Sequence, residues 1–148
     1  MRRHFLIIDA RFYADLADEL VKGASSELER REATFERVSV PGVLEIPAAL
    51  SMVLESDRAE RIDGYVLLGC VIRGETSHYD IVAGESARAV MDMAVDLGLA
   101  VGNGILTVEN GTQAWARARV GEKNKGGAAA AAAFEMAALR QELGLANV

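Results

Sequence analysis

Short apolar runs alternate along this chain with longer stretches of helical spacing. Phe5–Ile8 is apolar throughout and predicts a buried strand. Ala14–Arg31 follows, with Leu16, Leu20, Val21 and Leu28 at helical spacing and an interruption expected near Gly23. Phe35–Val40 alternates apolar and polar residues, as a half-buried strand does, and Pro41-Gly42 marks a turn. Glu45–Leu54 predicts a helix that tolerates Pro47 in its first turn. Gly64–Ile72 is a third strand, apolar on both faces. Ser77–Leu97 is a long helix closed by Gly98, and Leu99–Val108 is a fourth strand. Thr112–Arg119 and Lys123–Leu143 are the last helices, with an alanine run at Ala128–Ala133 in the second.

This βαβαβαβα order predicts a three-layer α/β/α sandwich with a central four-stranded parallel sheet. No linker, repeat or second domain interrupts it, so residues 1–148 are expected to form one domain. In such sheets ligands bind outside the carboxyl ends of the strands. The loops of interest are therefore 9–13, 41–45, 70–78 and 108–112.

Composition narrows the picture. The chain is 51% hydrophobic but only 5% aromatic. Its core must come from Ala, Val, Leu and Ile, which suits helices packed on a buried parallel sheet. A net charge of −6 without a basic run argues against nucleic acid as a partner. Cys70 is the one cysteine, which excludes an intrachain disulfide and a Cys-cluster zinc site, and suits a reducing compartment. The apolar run behind Met1-Arg2-Arg3-His4 is too short for a signal-peptide core or a membrane span, so the cytoplasm is expected.

Candidate chemistry gathers in the loops. Arg73-Gly74-Glu75-Thr76-Ser77-His78 leaves a buried strand and enters a helix. Ser77 can cap that helix, with Asp80 in the capping-box position. The amides of residues 75–77 would then form an anion site at a positive helix end. Taken alone, the loop reads equally well as a capped helix start. His78 beside such a site suits proton transfer near neutral pH. His4 reads as a plain surface or edge residue, and Cys70 as a buried, inert thiol.

Phe12, after the first strand, can stack on a planar ligand or staple the first helix. Pro41 and Pro47 bracket a rigid loop in which Glu45 could accept bonds from ligand hydroxyls or stabilise the helix dipole. Asn110 can cap the helix of Trp115, with Gln113 in the capping-box position. Arg117 lies seven residues on, on the same face, where it could grip an anion or stay solvated. Trp115 belongs in the core or at a subunit contact. No GxGxxG, P-loop or paired-histidine metal motif is present.

Taken in order, these pieces resemble the lumazine synthases. The matching segments are Arg11-Phe12; Pro41-Gly42-Val43-Leu44-Glu45-Ile46-Pro47; Val71-Ile72-Arg73-Gly74-Glu75-Thr76-Ser77-His78-Tyr79-Asp80; Gly104–Asn110; Gln113–Arg117; and Asn124-Lys125-Gly126. The resemblance covers nearly the whole chain and implies a flavodoxin-like sandwich. It implies condensation of a ribitylamino-pyrimidinedione with dihydroxybutanone phosphate to dimethyl-ribityllumazine, phosphate and water, with no metal or organic cofactor. By the same resemblance Phe12 stacks on the pyrimidine, Val43, Leu44 and Glu45 line the ring and ribityl chain, and Cys70 and Val71 lend backbone contacts. Glu75 and Thr76 bind phosphate and His78 shuttles protons. Asn103, Arg117 and Lys125 come from a neighbouring subunit, with Arg117 on the phosphate.

The chain departs from the family pattern at three places. Asn103 stands where many members carry an aromatic. Arg119, Glu122 and Lys123 replace a Gly-rich turn before Asn124, and little chain precedes the first strand. In the family these features track assembly, so a pentamer is expected, with a decamer or a 60-subunit shell as alternatives. An archaeal-type riboflavin synthase is the competing enzyme reading; the His78 loop and Asn124-Lys125-Gly126 argue against it. A non-catalytic flavin- or lumazine-binding protein would use most of the same pocket.

Overall fold

Four consecutive apolar residues at Phe5–Ile8 require a strand buried on both faces, because successive side chains point to opposite sides. In the computed structural model, which describes residues 2–147, that strand is β1, His4–Ala10. Then come α1 (Ala14–Arg30), β2 (Thr34–Val40), α2 (Glu45–Glu55) and a short 3-10 helix at Asp57–Arg61. β3 (Gly64–Ile72), α3 (His78–Leu97), β4 (Val101–Val108), α4 (Gly111–Ala118) and α5 (Lys125–Glu142) complete the order. The 3-10 helix is the one element the periodicity missed.

The four strands are parallel and lie in the order β2-β1-β3-β4. Phe5 and Ile7 of β1 join Val66 and Leu68 of β3 in a core closed by α1, α4 and α5. Leu6 and Ile8 join Tyr65 and Leu67 in a second core closed by α2 and α3. This is the three-layer α/β/α sandwich expected, consistent with a flavodoxin-like fold. The strand order reverses between β1 and β3, so a crevice opens at their carboxyl ends.

The alanine run has a packing reason. A Cβ on Gly102 of β4 would overlap the Ala129 carbonyl, and one on Gly126 would overlap the Leu20 carbonyl. Only small residues let α5 lie this close to both β4 and α1.

Several local details differ from the sequence reading. α1 runs without a break through Gly23, which leaves room for the Asn124 side chain against the helix. Asn124 itself adopts φ 45° and accepts a bond from the Gly127 N–H, capping α5. Ser77 stands at the N-cap of α3 but makes no capping bond; the Thr76 hydroxyl accepts from His78 N instead, at 3.3 Å. Asp80 turns to Arg73, at 3.5 Å, and does not form a capping box. β4 begins at Val101, two residues after the expected start. Gly98 closes α3 as expected, at φ 60°.

His4 is neither bland nor at an edge. Its ring lies 2.7 Å from the Thr34 hydroxyl and 2.6 Å from the Glu36 carboxylate. Glu36 also accepts from Arg58 and Arg61, so a charged network braces the amino ends of the strands, at the pole opposite the crevice. Burial pushes the Glu36 carboxyl up, but these hydrogen bonds and the arginine charges prevail and hold it at about 2.

Candidate functional site

A cavity of about 340 Å³ occupies the crevice at the carboxyl ends of β1, β2 and β3. Phe12 and Tyr13 enter from the turn between β1 and α1, and Gly42, Val43, Leu44 and Glu45 from the turn between β2 and α2. Cys70, Val71 and Ile72 form its floor at the end of β3. His78 and Val82, one turn apart on α3, form the remaining wall. Seven residues singled out in the sequence meet here: Phe12, Val43, Leu44, Glu45, Cys70, Val71 and His78.

Local packing explains why they meet. A Cβ on Gly69 would stand 2.9 Å from Val43 Cγ2, so the bare strand lets the Pro41–Pro47 loop settle onto the sheet beside the cavity floor. Val43 is buried there, while Phe12 is 73% exposed and its ring meets Tyr13 edge-on at 4.8 Å. The lining is mostly apolar and includes the polar side chains of Tyr13, Glu45 and His78, a mix that suits a planar organic ring bearing hydroxyls. Burial pushes the Cys70 thiol up to about 11, so at neutral pH it is an un-ionised wall group and a poor nucleophile.

The loop from Arg73 to Ser77 continues past the cavity into solvent. Glu75, Thr76 and His78 are exposed, and a Cβ on Gly74 would meet nothing within 4 Å. The loop therefore stands open to solvent beside the cavity. Arg73 ties it to the next loop, donating from Nε to Glu109 at 2.8 Å.

Five expected residues do not line this cavity: Glu75, Thr76, Asn103, Arg117 and Lys125. Asn103 is exposed on the edge strand β4, its Oδ1 accepting from the Ile105 N–H. Arg117 donates back to the Gln113 carbonyl of its own helix at 3.1 Å. Lys125 is exposed at the first turn of α5. The Asn110 cap forms as expected, accepting from Gln113 N at 2.9 Å, while the Gln113 side chain accepts from Glu109 N. The fourth loop, 108–112, is absent from the cavity wall. Tyr13, Gly42, Ile72 and Val82 line it without having been singled out as ligand contacts. Val82 was legible, since it lies four residues after His78 on one helical face.

The family model described as 6,7-dimethyl-8-ribityllumazine synthase matches residues 2–141, a span that includes every wall of this cavity. The chain belongs to this family. The 6,7-dimethyl-8-ribityllumazine synthase 1 of Rhizobium meliloti (strain 1021) is 58% identical over 143 residues, covering 95% of this chain and 94% of the relative. The 6,7-dimethyl-8-ribityllumazine synthase of Bartonella bacilliformis is 56% identical over 141 residues, with 95% and 92% covered. That of Agrobacterium fabrum is 55% identical over 143 residues, with 95% and 97% covered. Among the described residues, no helix is long and apolar enough to cross a membrane.

Proposed function

We propose that this chain condenses 5-amino-6-ribitylamino-pyrimidinedione with 3,4-dihydroxy-2-butanone 4-phosphate, releasing 6,7-dimethyl-8-ribityllumazine, phosphate and water. This is the penultimate step of riboflavin biosynthesis, a transferase reaction run without metal or organic cofactor. The observation that carries the reading is the crevice itself, where Phe12, the Val43–Glu45 loop, the end of β3 and His78 face one cavity in a chain of this family.

In this reading the pyrimidine stacks on Phe12 between Val43, Leu44 and the backbone of Cys70 and Val71, and Glu45 accepts from the ribityl hydroxyls. The sugar phosphate sits over the Glu75–Thr76 loop. The pyrimidine amine attacks the ketone and water leaves as the imine forms. Phosphate is then eliminated, leaving an enol that becomes a ketone; the ribitylamino nitrogen adds to that carbonyl, and loss of a second water completes the ring. His78, beside both ligands, moves the protons these steps require. Holding two reactive partners together supplies much of the rate.

The assembly is proposed as a homopentamer in the cytoplasm, with residues 1–148 as one domain; Met1 and Val148 lie outside the described residues. Two observations support a partner copy. Of the twenty residues of α3 only Val82, Ser86 and Val90 are buried, and a second apolar stripe, Ile81, Gly84, Ala87, Met91 and Val95, faces outward beside them. Asn103, Arg117 and Lys125 stand away from their own chain's cavity. They would complete a neighbour's site, with Arg117 on the phosphate. The test is to refold His78→Ala and Arg117→Ala chains together: mixed assemblies exceed the activity of either parent if sites are shared, and stay at the parents' level if they are not.

A further inference from the structure

Asp9 is the only charged residue in the core among the described residues, and its side chain is wholly buried. It follows a run of apolar residues on β1. Burying an ion is costly and adds little net stability even when it is paired. A carboxylate at this position is better explained by what it holds. Its Oδ1 accepts from Arg37 Nε at 2.9 Å and from the Ser39 hydroxyl at 2.7 Å, and its Oδ2 accepts from Arg37 Nη2 at 2.9 Å. Arg11 Nη1 lies 3.5 Å from the same Oδ2. Asp18 of α1 closes the ring, accepting from Arg11 and from Arg37, the latter at 3.2 Å. Two carboxylates and two guanidiniums thus join β1, β2, α1 and the turn after β1.

Arg11 is the residue this ring holds immediately before Phe12, the first residue of the turn to line the cavity. Its backbone N–H also donates to the Val40 carbonyl at 2.8 Å, extending the β1–β2 ladder past the end of the strand. Phe12 comes next, and only Phe12 and Tyr13 separate Arg11 from α1. An aromatic ring 73% exposed depends chiefly on its backbone for its direction. We propose that Asp9 and Arg37 are positioning residues for ring recognition: through Arg11 they fix the backbone from which Phe12 reaches into the cavity. Burial pushes the Asp9 carboxyl up, but the Arg37 and Ser39 hydrogen bonds and the arginine charges outweigh it, so Asp9 stays ionised and the ring of charges stays closed at neutral pH. The inference rests on the reading of this cavity as the pyrimidine site.

The test is a double-mutant cycle read by binding of 6,7-dimethyl-8-ribityllumazine, followed through its own fluorescence. Asp9→Asn should weaken binding about tenfold when Phe12 is present, the scale of a misplaced contact group. In a Phe12→Ala background the same change should cost less than about twofold, because the group it positions is gone. Equal losses in both backgrounds would mean that the network only stabilises the fold, and would overturn the proposal. If Asp9→Asn does not fold, Arg37→Lys takes its place; it keeps the charge but loses the two-pronged bond, and the same pattern is expected. Unaltered protein that binds the lumazine but does not turn over the two substrates would refute the reaction and leave the cycle readable. Unaltered protein that does not bind it would overturn both.

Discussion

The guanidinium of Arg73 lies over the ring of Tyr79, 4.2 Å from its centroid. The same side chain bonds Glu109 and stands 3.5 Å from Asp80, and its backbone N–H donates to the Val108 carbonyl at 2.9 Å. One residue therefore links both ends of the 73–78 loop to the start of the next. Arg73→Ala should leave the fold intact, since exposed ion pairs contribute little. It should raise KM for the sugar phosphate about tenfold while moving the pyrimidine KM much less. Steady-state rates with each substrate varied in turn read the difference, and equal shifts would count against a phosphate role for this loop.

His78→Ala should lower kcat about ten- to a hundredfold and leave lumazine binding nearly unchanged. Single-turnover rates beside product affinity separate the two effects. An unchanged rate would remove His78 from proton transfer, and a collapse in binding would make it a wall residue.

Met91 and Val95 are 61% and 71% exposed on the outward stripe of α3. Met91→Glu places a charge in the proposed contact and should shift the sedimenting mass toward monomer, with activity lost in parallel. A variant that stays assembled and active would place the subunit contact elsewhere.

Acid should unfold the protein partly through the Glu36 network. Glu36 ionises at about 2 in the folded chain, below its ordinary 4.5, so it adds stability above pH 4.5 that is lost as pH falls toward 2. Glu36→Gln should lower Tm at neutral pH and flatten the Tm profile across that acid window. A profile as steep as the parent's would assign acid unfolding to other groups, with Asp9, also held low by its arginines, as the next candidate.

The sandwich was legible wherever a segment reports its own burial. β3 has the expected ends because a strand buried on both faces reads as one apolar run between Gly64 and the polar loop at Arg73. Gly23 misled for the opposite reason: the cue for a break in α1 was a packing cue, and its partner Asn124 lies far along the chain. The crevice was legible because its parts sit in loops carrying Pro, Gly, His and aromatic residues. The residues that brace it were not. His4 reads as a plain surface or edge residue, and nothing local marks Asp9 or Glu36, until pairing of β1 and β2 sets Asp9 beside Ser39 and brings Arg37 and Glu36 within reach. Arg117, Asn103 and Lys125 do not line the cavity of their own chain, because α4, the edge strand β4 and the start of α5 contribute none of its walls.

The central claim is best tested by mixing purified protein with both substrates, adding a chelator and no cofactor, and following lumazine and phosphate together. Matched rates of the two products are the expected result. No lumazine and no phosphate, from protein that is folded and assembled, would contradict the account.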